Sequence, residues 1–288
     1  MILIVISLLG IGLFLWPFSG LGLPASTPAL AIGLGTLLGL LAFEVGTRRM
    51  STRAFALLAA LSAADAALRA ALVTGIAGFS PIFLLVLCGG YALGPEFGFL
   101  VGAGSLLTSA LVTGGLGPWV PYQLFAVGWV GMLAGIAGSW RRSGRPTRLD
   151  VALLAGVGIV TGFGFGAVMD VWNWTFYAGS GQLGWTPHLP PLVALHRFAG
   201  YYLLTSLGYD SFRAVGNALM ALLLGLPILV GLHRVGQRLQ LSWPLPEAAP
   251  LSAQAAHHQA ARELVVPALA PEIQGRPAEA NQARREVE

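Results

Sequence analysis

An all-α fold, a polytopic transmembrane bundle of about eight helices, is predicted by three observations. The 288 residues are 56% hydrophobic and only 10% charged, against roughly 25% charged residues in a soluble domain. The mean hydropathy is +0.74. Apolar runs long enough to cross a bilayer, about 20 residues each, recur along the chain, and the basic residues sit in short clusters between them.

Taken in order, the expected spans are 1–20, 28–46, 54–74, 80–93, 97–114, 120–139, 150–172 and 211–232. The first lacks the basic n-region and cleavage site of a signal peptide and reads as a retained helix. The fourth is short and ends in Gly89-Gly90. Residues 173–210 form one long connection holding Trp174, Phe176, Tyr177, Trp185, His188, His196, Arg197, Tyr201 and Tyr202. Loops beyond about 12–15 residues are usually lids or binding loops when they are not disordered, and the aromatic content points away from disorder. The stretch from Pro191 to Leu207 is apolar enough to lie on the membrane surface or fold over the bundle. Three regions follow: helices in 1–46, a six-helix core over 53–240, and a tail over 245–288 rich in Ala, Pro, Glu, Arg and Gln, expected to be disordered.

Arginine placement orients the bundle. Arg48, Arg49 and Arg53 precede the third span, Arg141, Arg142, Arg145 and Arg148 precede the seventh, and Arg234 and Arg238 follow the last. The intervening connections 21–27, 75–79 and 115–119 carry no charge. The positive-inside rule then places both termini in the cytoplasm and 173–210 outside.

Several chemistries fall away. All sixteen basic residues are arginine, so there is no Walker A lysine, Schiff-base lysine or lysine general base. Any ATP hydrolysis must come from another chain. Cys88 is the single cysteine, which excludes an intrachain disulfide and reads as a small buried hydrophobe. His188 and His196 lack the spacing of a helical metal pair, and no Cys or carboxylate cluster joins them. No metal or cofactor is expected. Without a G-x-S-x-G, H-E-x-x-H or aspartate-rich motif, an enzyme is not the expected reading.

Four features carry candidate function. On the third span, Ala56, Ala60 and Ala64 form one small-residue stripe, and Ala59, Ala63 and Ala67 another. Such stripes let helices approach closely, either inside the chain or against another subunit. Asp65 and Arg69 can pair on that helix; an intramembrane charge is a functional-site hypothesis, and a structural pair is the alternative. The segment "MDVWNWTF", Met169 to Phe176, sets Asp170, Trp172, Asn173 and Trp174 within five residues. Stacking surfaces with a few oriented polar groups suit a planar ligand better than an interfacial tryptophan belt does. In "GGLGPWVPYQLFAVGWVG", Gly114 to Gly131, prolines stiffen a turn that presents Trp119, Tyr122 and Gln123 at the same mouth. Gly128, Gly131 and Gly135 continue inward as close-packing positions.

From about Arg53 to Gln240 the chain resembles the substrate-binding membrane subunit, or S component, of energy-coupling factor vitamin transporters. The alanine-rich helix 54–72, "GGYALGPEFGFLVGAG" (89–104), "GGLGPWVPYQLFAVGWVG" and the order of "MDVWNWTF", long loop and last helix carry the resemblance. Such subunits commonly have six helices, so the pair in 1–46 departs from the pattern. The resemblance implies capture of a vitamin outside the cell and docking on a transmembrane coupling subunit served by two ATPase subunits. By position, ligand contact would fall to Trp119, Tyr122, Gln123, Asp170, Trp172, Asn173, Trp174 and Arg197, and docking to the alanine stripes. The external aromatics favour a large vitamin, with a corrinoid such as cobalamin first and riboflavin or another vitamin as alternatives. A stand-alone secondary transporter, a membrane enzyme using Asp65, Asp170 and Arg197, and a ligand-free scaffold are the competing readings.

Overall fold

The computed structural model describes residues 2–18, 32–33, 35–36, 39, 50–71, 82–141, 144–176 and 181–238. Their regular structure is entirely helical. Eight α-helices are α1 (Ile2–Leu15), α2 (Thr52–Ala71), α3 (Ile82–Leu93), α4 (Pro95–Thr113), α5 (Val120–Ser139), α6 (Arg148–Phe176), α7 (Pro191–Thr205) and α8 (Leu207–Arg238). By length and composition, α4, α5, α6 and α8 can each cross a membrane, and the protein is membrane-embedded. Of the second expected span, Ile32, Gly33, Gly35, Thr36 and Gly39 are helical. The rest of it, Glu44, Arg48 and the expected tail from 245 lie outside the described residues.

Helix ends follow from local chemistry. Pro95 opens α4, where a missing N–H costs nothing, and Gly114 closes it in the left-handed region at φ 66°. Asp150 caps the start of α6: the Thr147 N–H and hydroxyl both donate to its carboxylate, at 2.7 and 2.6 Å. Asp150 also accepts from Tyr91 (2.9 Å) and pairs with Arg141 (3.0 Å), tying α3 and the turn after α5 to the start of α6 at the arginine-rich end.

The core is a tight cluster of α3, α4 and α5, with α6 packed on α5 and α8 closing the bundle against α6 and α3. Glycines set the spacing. A Cβ on Gly131 would strike the Gly98 carbonyl, and one on Gly98 would strike that of Gly131, so α4 and α5 touch backbone to backbone. Gly128 lies under the Phe99 ring and Gly135 against the Pro95 backbone, so all three expected packing glycines of α5 face α4. Helix α1 packs on the other side of α5, where the Trp129 indole N–H donates to the Ser7 hydroxyl at 3.2 Å and Phe14 meets Tyr122 edge-on at 5.1 Å.

Two expectations change. The connection 173–210 is not one long loop: α6 runs on to Phe176, α8 starts at Leu207, and α7 fills half of the residues between them. Pro191 at the first position starts α7, and only Tyr201 of that helix is buried, while Leu192 and Leu204 are 81% and 77% exposed. Exposed leucines on a short amphipathic helix at the end of a bundle suit the membrane interface. The second change concerns Asp65 and Arg69, which form no ion pair. Asp65 is fully buried, turned toward Ser105 and the start of α3, and Arg69 stays half-exposed.

Gly131→Ala should lower stability in detergent by about 1–3 kcal/mol through overpacking against α4. Gly156→Ala, which meets no atom within 4 Å, should stay within about 0.5 kcal/mol of the parent. Thermal unfolding of the two purified variants checks this.

Candidate functional site

Where α5, α6 and α8 diverge beneath α7, they frame an open cavity of about 530 Å³. Helix α5 and its N-cap supply Gln123 and Trp119, spaced by one turn and so on one face. Helix α6 supplies Phe165, Gly166, Met169, Asp170, Trp172 and Asn173. The α7–α8 corner supplies Tyr201, Thr205, Ser206, Tyr209, Asp210 and Arg213. Five of the residues expected from the sequence therefore meet in one place, from two segments some fifty positions apart.

Three of the expected residues do not line it. Tyr122 is buried, held between Phe14 and Trp172, whose ring centroid lies 5.3 Å away. It backs the cavity wall that Trp172 forms. Trp174 points away: its indole N–H donates to the Leu183 carbonyl at 2.8 Å, and its ring meets Phe198 at 5.3 Å and Phe18 at 6.2 Å. Arg197 donates to the Gly184 carbonyl at 3.2 Å. Both side chains hold the turn at Gly181–Leu183 and α7 against the bundle.

The cavity also contains an ion pair that the sequence reading passed over. Arg213 bonds Asp210 one helical turn away, donates to the Gly162 carbonyl at 3.4 Å, and lies 5.1 Å over the Phe165 ring. Asp210 accepts a further bond from the Tyr202 hydroxyl at 3.0 Å. Its carboxylate sits directly on Gly166, where any Cβ would collide with it. Burial, reinforced by the hydrogen bond to the Asp210 carboxylate, pushes the Tyr202 phenol up to about 12, so it stays a neutral donor at ordinary pH. The pair is thus neutralised and locked in register with α6. The signal for it was an Asp and an Arg three apart, D-x-x-R, at the start of a long helix.

Asp170 differs. It is 5% exposed, Ser206 and Asn173 lie beside it, and its Oδ2 is buried with no hydrogen-bond partner among the described residues. A second buried polar group lies away from the cavity, between α2 and α4. There Asp65, Ser62, Ser105 and Ser109 are all buried, and neither Asp65 oxygen nor any of the three hydroxyls has a hydrogen-bond partner of normal geometry among the described residues. Among the described residues no group of three His, Cys, Asp or Glu side chains is arranged to hold a metal.

The two alanine stripes of α2 share one exposed surface. Ala56, Ala59, Ala60, Ala63, Ala64 and Ala67 are all exposed, whereas Ala54, Leu58, Ser62, Asp65 and Ala66 face the bundle. Packing within the described part of this chain does not account for the stripes.

No protein-family model, curated protein or solved structure matches the chain.

Arg213→Met alone should cost about 3–5 kcal/mol, because it leaves the Asp210 carboxylate buried without its cation. The double change Asp210→Asn with Arg213→Met should recover most of that loss. Chemical unfolding of both variants in detergent checks the prediction, and equal destabilisation of the two would contradict it.

Proposed function

We propose that this protein is the vitamin-capturing membrane subunit of an energy-coupling factor type transporter, with the cavity under α7 as its ligand site. The convergence of Trp119, Gln123, Asp170, Trp172 and Asn173 on one cavity is the observation that carries the reading. Sites for small ligands span about 300–1,000 Å³ and combine apolar walls with a few oriented polar groups, and a cavity of about 530 Å³ with two indoles, two phenols, two amides and charged groups is of that kind. This size favours a flavin-sized vitamin, since a corrinoid would enter with only part of its ring system.

In this reading the basic ends of the helices lie in the cytoplasm with both termini, and the cavity faces outward. Helix α7 lies in the outer interface and covers the site. The exposed alanine face of α2 supports docking on a transmembrane coupling subunit. Two ATPase subunits then drive uptake, in keeping with a chain that has no lysine. The protein itself carries out no catalysis and requires no cofactor.

The full chain, purified from a host supplied with vitamins, should retain one that mass spectrometry identifies. Trp119→Ala and Gln123→Ala should each weaken its binding by about tenfold while leaving the helical content unchanged. Unaltered affinity in both variants, or uphill accumulation by the isolated chain in liposomes, would sink the proposal.

A further inference from the structure

The charges that line the cavity do not balance. Two carboxylates, Asp170 and Asp210, face one guanidinium, Arg213. The guanidinium is committed to Asp210, to the Gly162 carbonyl and to the face of Phe165. Asp210 is further satisfied by Tyr202. With Asp170 ionised, one negative charge is left over: Ser206 and Asn173 lie beside that carboxylate, but its Oδ2 has no hydrogen-bond partner among the described residues. An ionised carboxylate is costly to bury without a charge partner of its own, and the Arg213 guanidinium already pairs with Asp210.

The walls around Asp170 are aromatic. Trp119, Trp172, Tyr201 and Tyr209 line the same cavity, and Trp119 is 40% exposed, so its ring is open to contact. A cation placed against aromatic faces gains about 0.5–2 kcal/mol, more when it is desolvated. A charge-assisted bond to a carboxylate is roughly twice as strong as a neutral one. An anion here would meet two carboxylates and a single guanidinium already paired with one of them.

We infer that the cavity selects a flat nitrogen heterocycle bearing a positive charge, with Asp170 as its counter-ion and Trp119 as its stacking surface. The inference rests on the cavity being the ligand site, and it names the chemical class of that ligand. Selection is by charge as well as by ring shape.

The test uses the full chain in lipid nanodiscs and three probes built on one ring: the N-methylnicotinamide cation, neutral nicotinamide and the nicotinate anion. Binding is read by calorimetry against empty discs. The cation should bind about tenfold tighter than the neutral probe, and nicotinate weakest. Asp170→Asn should bring cation and neutral probe within about twofold of each other, and Asp170→Glu should restore the difference. Equal binding of the three by the native protein, binding of none, or a preference that survives Asp170→Asn overturns the inference. Should Asp170→Asn fail to fold, the native series alone decides. The two readings separate cleanly. A neutral or anionic vitamin retained by a protein that treats the probes alike ends charge selection and leaves vitamin capture standing. A cation preference lost in Asp170→Asn, with no vitamin bound, does the reverse.

Discussion

The contact of α4 with α5 through Gly98 and Gly131 is the constraint from which the rest of the bundle is built. In lipid, helices gain little from the hydrophobic effect and associate by close packing. Removing every side chain at the crossing brings the two backbones together and fixes the depth and rotation of α5. That rotation turns Trp119 and Gln123 toward α6 and α8, while Trp129 and Phe125 face α1. A small change at the crossing would therefore be felt several turns away, where the cavity opens.

The N-terminal helix α1 is part of this arrangement. Phe14 packs on Tyr122, Tyr122 on Trp172, and Trp172 forms cavity wall. Just beyond α1, Phe18 meets both Trp174 and Trp185. The helix that departs from a six-helix pattern thus buttresses the cavity from behind and also supports the segment that carries α7.

Most of the helices were legible in the sequence because each is an apolar run bounded by glycine, proline or arginine. The cavity was legible in part. Trp119 with Gln123, and Asp170 with Asn173, keep helical spacing and share a face. Trp174 lies away from the cavity because the helix does not stop at residue 172, where the seventh span was expected to end. Once α6 continues to Phe176, residues 172 and 174 lie about 200° apart around the helix, and both cannot face the same space. Tyr122 sits roughly 100° from Gln123 by the same geometry, which turns it toward α1 and Trp172. Asp210 and Arg213 were missed because they straddle the assumed end of the loop at 210 and were never read together as one helical turn. The Asp65–Arg69 pairing was allowed by spacing alone, and tertiary packing overrode it by drawing Asp65 into the interface with α3 and α4.

The exposed face of α2 has a property that follows from its composition. Alanine has no rotamers, so a surface of six alanines loses no side-chain conformational entropy when another helix covers it. It also presents no long side chains that must be withdrawn before the covering helix leaves. Such a face can be occupied and vacated repeatedly with little reorganisation on either side, and its contact strength is set almost wholly by how closely the opposing backbone can approach.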